Sequence, residues 1–154
     1  MRVTVALFMV SCAAAIAVYI AFGLTSDSGY VEHDHQSPAP RDVGDYEFPA
    51  GYEAVRAFSG CQDRLLEEVD LLIRATLGTS YVRSLRPRSR TYVTRTFFSP
   101  VPNYTTVSVQ TNNGATGMIT FRGTARFGWS DFGANRARIK GWLEDLDLEL
   151  PTAG

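Results

Sequence analysis

From Val3 to Leu24 the chain carries no charged residue, and this run limits what the rest can become. At ~1.5 Å rise per residue, a helix of about 22 residues is roughly 33 Å long, enough to cross a ~30 Å hydrocarbon core. The rival to a retained anchor is a cleaved secretory signal, because a short basic start, an apolar run and the small residues of "SCAAAIA" suit one equally. The run is long for a signal core, which favours retention. Arg2 is the only cation before the span, whereas Asp27, Glu32 and Asp34 follow it. The positive-inside bias then keeps the N-terminus in the cytosol and carries the remainder across, into a periplasm or an equivalent space. Ser11, Ala13, Ala14, Ala15 and Ala17 are small enough to pack this span against another membrane helix.

With 154 residues and 45% of them hydrophobic, the chain has room for this segment and one compact domain. The formal net charge of -1 points to no particular partner. Cys12 lies inside the span and Cys61 is the only other cysteine, so the domain closes no internal disulfide and pairs no cysteines around zinc. Thr25 to Asp45 is rich in Ser, Pro, Gly, Asp and His and has no apolar period, so residues 25–48 are expected to be an extended tether and 49–154 the soluble domain. No internal repeat is visible.

Leu65, Leu66, Val69, Leu72, Ile73 and Leu77 form one helical stripe; Ser59 and Gln62 have the spacing of a capping box, and Gly78 supplies a stop. "TYVTRTFF" (Thr91 to Phe98), "YTTVSVQT" (Tyr104 to Thr111) and "GMITFRGTARF" (Gly117 to Phe127) are rich in β-branched and aromatic residues and are separated by turn chemistry. Short connections between strands favour antiparallel neighbours. The closing stretch "NRARIKGWLEDLDLEL" fits two patterns, because Ile139, Trp142, Leu143 and Leu146 keep helical spacing while Leu146, Leu148 and Leu150 alternate. Length and a cap at Ser130 or Asp131 favour a helix from about Ala134 to Leu146, despite a cost of about 1 kcal/mol for Gly141 in its interior. The expected fold class is α+β: the N-terminal transmembrane helix, then a helix, an antiparallel sheet and a closing helix.

Candidate chemistry is thin. "HDH" at His33 to His35 lacks further metal ligands and reads as linker. Arg83, Arg86, Arg88, Arg90 and Arg95, interleaved with Tyr81 and Tyr92, suit anionic headgroups or an acidic protein surface, or else form a solvated loop. Nucleic acid is disfavoured by the charge balance. Asp131, Asn135 and Arg136 gather at the head of the last helix, either as a polar binding corner or as a cap with a local ion pair. "NYT" at Asn103 to Thr105 has the form of a glycosylation acceptor. No nucleophile elbow, phosphate loop, metal helix or dinucleotide fingerprint occurs. After His35 the chain has no histidine, so neutral-pH acid–base work would fall to shifted carboxylates. A non-enzyme without cofactor or small-molecule substrate is expected, in contact with membrane lipid and with a protein or envelope component. The alternative is an accessory subunit of a respiratory or photosynthetic membrane complex.

"TYVTRTFFSPVPNYTTVSV" followed by "ITFRGTARFGWSDFGANRARIKGWLEDL" resembles the domain-of-unknown-function family numbered fourteen ninety-nine. Its bacterial members often carry an N-terminal membrane segment, a "TYVTR"-like strand, a "DYTTV"-like strand and a closing "RFGxSDLGxNRxRIxxWL" segment. Thr91 to Arg95, Tyr104 to Val107 and Arg126 to Leu143 occupy those places, within a match from about Leu65 to Leu146. Trp129, Phe132 and Ala134 depart mildly from the pattern. The resemblance implies a bacterial envelope protein and adds no catalytic residue.

Overall fold

The computed structural model describes residues 2–24, 41–82, 87–96, 99–111, 115–127 and 131–148. The first element is helix α1 (Arg2–Gly23). Its window Thr4–Ala21 is long and apolar enough to cross a membrane, and none of it is buried within the protein. An anchor and a secretory signal both meet that description. Residues 25–40 of the tether expected at 25–48, with its "HDH", lie outside the described residues.

The domain is a single antiparallel sheet of six strands with two helices laid across one face. In chain order it contains β1 (Gly44–Phe48), β2 (Gly51–Ser59), α2 (Gln62–Ala75), β3 (Thr79–Val82), β4 (Ser89–Thr96), β5 (Ser99–Thr111), β6 (Thr116–Ala125) and α3 (Ala134–Asp145). Across the sheet the strand order is β1-β2-β6-β5-β4-β3. This is the expected α+β arrangement, with the three anticipated strands present as β4, β5 and β6. Two further strands precede α2. β1 forms at the end of the stretch read as tether, and β2 was not foreseen.

The helical stripe works as its spacing predicts. Leu66, Val69 and Ile73 of α2 and Ile139, Trp142 and Leu143 of α3 are buried. They meet Tyr52, Ala54 and Phe58 of β2, Tyr92 of β4, Val107 and Val109 of β5, and Ile119 and Phe121 of β6. Burying side chains of this size contributes roughly 1.5–3 kcal/mol apiece before the entropy of ordering them. The indole of Trp142 also donates to Thr76 Oγ1 at 2.9 Å, tying the end of α2 to the middle of α3.

Three details correct the expected boundaries. Ser59 ends a strand and pairs with Thr116, so the Ser59–Gln62 spacing is no capping box; Cys61 holds the N-cap position and gives no side-chain cap bond. Leu77 lies beyond α2 and is 94% exposed, because Gly78 at φ +75 turns the chain into β3 against the Arg95 carbonyl, where a Cβ would collide. The alternating tail is not a strand before residue 149. α3 ends in a Schellman motif, with Leu148 N–H on Leu143 O at 2.9 Å, Asp147 N–H on Glu144 O at 3.1 Å, and Asp147 at φ 52 in the left-handed region.

The register gives the sheet two distinct ends. At one, called the Ala50 end, the β1–β2 turn, the β4–β5 connection and the β6–α3 connection come together, through Gly51↔Thr124, Thr96↔Ser99 and Asn103↔Ala125. At the other, the Gly60 end, Ser59↔Thr116, Thr111↔Gly117 and Val82↔Thr91 bring together the β2–α2, β5–β6 and β3–β4 connections.

Candidate functional site

The head of α3 is the best-built polar corner among the described residues. Gly133 at φ +79 carries the chain into the helix, and the Asp131 carboxylate accepts the Gly133 N–H at 3.1 Å and the Asn135 N–H at 2.8 Å. An acid there both satisfies orphan helix donors and complements the helix dipole. Asn135 is completely buried. It rests on Gly123 of β6, where an added Cβ would come within 2.9 Å of its side chain. Its Nδ2 donates to Asn103 Oδ1 of β5 at 3.1 Å, and its Oδ1 accepts from the Arg138 guanidinium. Burial pulls the Arg138 pKa below its usual value, opposed by the charge of Asp131, and Arg138 also lies 5.8 Å over the Trp142 ring.

Arg136 leaves this corner on the other side. It pairs with Glu47 of β1 at 2.9 Å, and both side chains are exposed. Between them lies a cleft of about 220 Å³ lined by Glu47, Pro49, Ala50, Tyr52 and Asp131 among others. The structure therefore gathers Asp131, Asn135 and Arg136 as expected. It engages the first two in capping and interlocking α3 with β5 and β6, and it leaves the Arg136–Glu47 pair at the surface.

The described arginines do not form one patch. Arg83 and Arg86 fall outside the described residues. Arg88 is exposed at the Gly60 end with φ 61. Arg90 turns inward, donating to Leu66 O at 2.9 Å and lying 3.5 Å from Asp70. Arg95 sits at the opposite end of β4, where its N–H donates to Gly78 O. Arg90 belongs to a cluster that fastens α2 to β4: Asp70 accepts the Tyr92 hydroxyl at 2.8 Å and lies 3.4 Å from Arg74. Burial first, and then the Asp70 carboxylate, push the Tyr92 phenol well above its ordinary range.

Two buried charged centres in β2 were missed from the sequence. Glu53 is only 1% exposed and faces away from the helices. It meets Arg122 of β6 at 2.8 Å and Arg41 at 3.6 Å. Those guanidiniums lie over the rings of Phe48 and Tyr46, at 4.6 Å and 4.7 Å. Arg56, on the helix side, reaches Asp45 at 2.6 Å, Gly44 O at 3.1 Å and Leu148 O at 2.8 Å, joining the first strand to the chain beyond α3. Burial alone would raise the Asp45 carboxyl, but the Arg56 guanidinium beside it holds it below the usual carboxylate value. Burial, reinforced by Asp45, pushes the neighbouring Tyr52 phenol up to about 12.

Among the described residues no three His, Cys, Asp or Glu side chains are grouped to hold a metal ion. The polar groups that converge do so on one another, as locks between elements.

The sequence of the domain agrees with this geometry in one further respect. A family model described as "Protein of unknown function (DUF1499)" matches residues 55–146, from within β2 to the end of α3. The chain belongs to this family, and the match begins upstream of Leu65, where the motif resemblance starts. No curated protein gives a significant match.

Proposed function

We propose that this member of the family is a non-catalytic, single-pass protein of a bacterial inner membrane whose domain lies in the periplasm and binds a protein or envelope component. The observation that carries the reading is α1: an unburied apolar helix of membrane-spanning length, preceded by Arg2 and followed by the acids Asp27, Glu32 and Asp34. Such a helix has no stable place in water, and that charge order favours a cytosolic N-terminus. The non-catalytic part of the reading draws on how the bonded carboxylates are used. Asp131, Asp70 and Glu53 each hold a neighbouring element, and such bonds leave little freedom for proton transfer to a substrate.

Docking then falls to exposed groups. Arg88 at the Gly60 end and the Arg136–Glu47 pair at the Ala50 end are the charged candidates. Affinity capture of the full chain from detergent-solubilised membranes, after cross-linking in the intact cell, tests the reading. A reproducible stoichiometric partner lost on Arg88→Glu or Arg136→Glu supports it. Recovery of the chain solely as a monomer in every detergent would refute docking.

A further inference from the structure

The two edges of the sheet, β1 and β3, are fastened in different ways. β3 is tied by side chains that pack or bond against β4 and β5: Val82 lies on Val93 and Tyr104, Thr79 Oγ1 meets Thr94 Oγ1 at 2.9 Å, and the Tyr81 ring stands edge-on to Tyr92 at 5.9 Å. β1 gives no side chain to either apolar cluster. On the face it shares with the helices, opposite Ala54 and Tyr52, it carries Asp45 and Glu47. Arg56 at 2.6 Å and Lys140 at 3.9 Å hold the first, and Arg136 at 2.9 Å holds the second. On the open face Tyr46 lies under Arg41, while Phe48 lies under Arg122 and against Gly51, where a Cβ would strike its ring. Apart from Phe48 beside the turn, β1 is held by its ladder to β2 and by charge. Ion pairs that reach solvent weaken as salt shortens the Debye length, from about 8 Å at physiological strength to about 3 Å at 1 M.

The strand beneath is built to stand without it. Glu53 and Arg56 of β2 are both nearly fully buried, and a buried charge stripped of every partner is strongly destabilising. Each has a partner outside β1. Glu53 keeps Arg122 of β6 at 2.8 Å, and Arg56 keeps the carbonyls of Leu148 at 2.8 Å and Val55 at 3.0 Å. Tyr52, Ala54 and Phe58 stay in the core formed with the helices. Bared as an edge, β2 presents a guanidinium directed toward the helix layer, the kind of inward charge that stops an edge strand from pairing with another chain.

We infer that β1 is a releasable strap, which peels from β2 at its Gly44 end under raised ionic strength or a pull on the tether while the rest of the domain stays folded. The contact of Phe48 on Gly51 makes the Ala50 turn the pivot. With β1 in place, residues 25–43 separate Leu24 from the sheet; with β1 released, residues 25–50 do. The seven added residues extend the farthest reach by roughly 25 Å. Peeling is a property of the domain by itself, and only the gain in reach rests on α1 being retained as an anchor.

Hydrogen exchange of the full chain in detergent micelles, read by mass spectrometry at one pH in about 0.15 M and about 1 M potassium chloride, tests the inference. Peptides covering 44–48 should lose protection by about tenfold or more at the higher salt, while those of β3, β5 and β6 change by less than about twofold. Protection of 44–48 that holds at high salt overturns the inference. So does a loss shared equally by β5 and β6, which makes β1 part of one cooperative unit, or by β3, which makes the effect ordinary edge fraying. A Glu47→Gln, Lys140→Gln variant alters two side chains that reach solvent. It should show at low salt the exchange that the unsubstituted chain reaches at high salt, and unchanged protection would contradict the role given to charge.

Discussion

At the Ala50 end of the sheet, Asn135 is sealed under α3 with Gly123 beneath it and Asn103 and Arg138 bonded to it, while Phe132, three residues earlier, and Leu77, just beyond α2, are exposed. At the Gly60 end the backbone closes the sheet, with Gly60 N–H to Ala115 O at 2.7 Å and Val109 N–H to Arg88 O at 3.0 Å, and Arg88 is exposed. The contrast separates residue type from role. The Ala50 end hides polar side chains and shows apolar ones, because a buried amide network fixes how α3 seats on the sheet and so holds the loop that carries Phe132. At the Gly60 end Arg88 points outward in the ordinary way, while Arg90 lies against α2 on Leu66 O and Asp70.

Substitutions at each end should therefore have very different costs. Asn135→Ala leaves Arg138 and Asn103 with buried groups unpaired and should lower unfolding stability by about 2–3 kcal/mol, measured by urea denaturation. A loss below about 0.5 kcal/mol, typical of surface sites, would erase the contrast. Alkaline pH gives the next test. The Tyr52 phenol is raised to about 12 in the fold from an ordinary value near 10. A raised pKa contributes stability that is complete below the unfolded value and disappears as pH climbs through the folded one. Phenolate absorbance should show Tyr52 and Tyr92 both resisting ordinary titration, and the one that ionises at about pH 12 should be absent in Tyr52→Phe. The acid side has the opposite sign: Asp45, held low by Arg56, contributes stability above its unfolded value that is lost as pH falls through the folded one.

Gly141→Ala sharpens the comparison from the middle of α3. An added Cβ there meets nothing within 4 Å, so replacing glycine in a helix interior should raise stability by about 1 kcal/mol, seen as a higher urea midpoint at constant slope. A fall in stability would mean that the added methyl crowds the shallow groove beside Trp142 and Thr76. The smallest effect is expected from Arg88→Ala at the Gly60 end, within about 0.5 kcal/mol of wild type by the same urea measurement.

The elements that could be read in advance are those with an unbroken period. After Arg2, α1 carries no charged residue, α2 keeps its stripe from Leu65 to Ile73, and β4 to β6 are runs of β-branched and aromatic residues. β1 and β2 escaped because their alternation is broken by charge. Glu53 and Arg56 are nearly fully buried within "GYEAVRAFS", and a sequence pattern treats both as surface. The partners that make them tolerable, Arg122 and Asp45, lie on other strands. The turn between the two strands was similarly hidden, since Ala50 takes φ 61 where glycine would have announced it.

The candidate site was half legible. Asp131 could be placed at the helix start, but Gly133 is the N-cap residue, the local ion pair expected there gives way to Arg136 on Glu47 of β1, and nothing in the spacing links Asn135 to Asn103, 32 residues earlier. The five arginines read as a group because they are close in sequence. A strand places Arg88 and Arg95 at opposite ends, and Arg90 turns toward Asp70 because that carboxylate on α2 needs a partner. Leu77 misled in the other direction, as it continues the helical stripe on paper, whereas Gly78 ends the helix before that residue can be buried.

The whole account depends on α1 remaining attached to the domain and inside a bilayer. The most direct measurement is the intact mass of the chain isolated from its own cells, taken separately from alkaline-washed membranes and from the soluble fraction. The account predicts an uncut polypeptide beginning at or beside Met1, recovered with the membranes. A species starting in the region after Leu24 and found in the soluble fraction would contradict it.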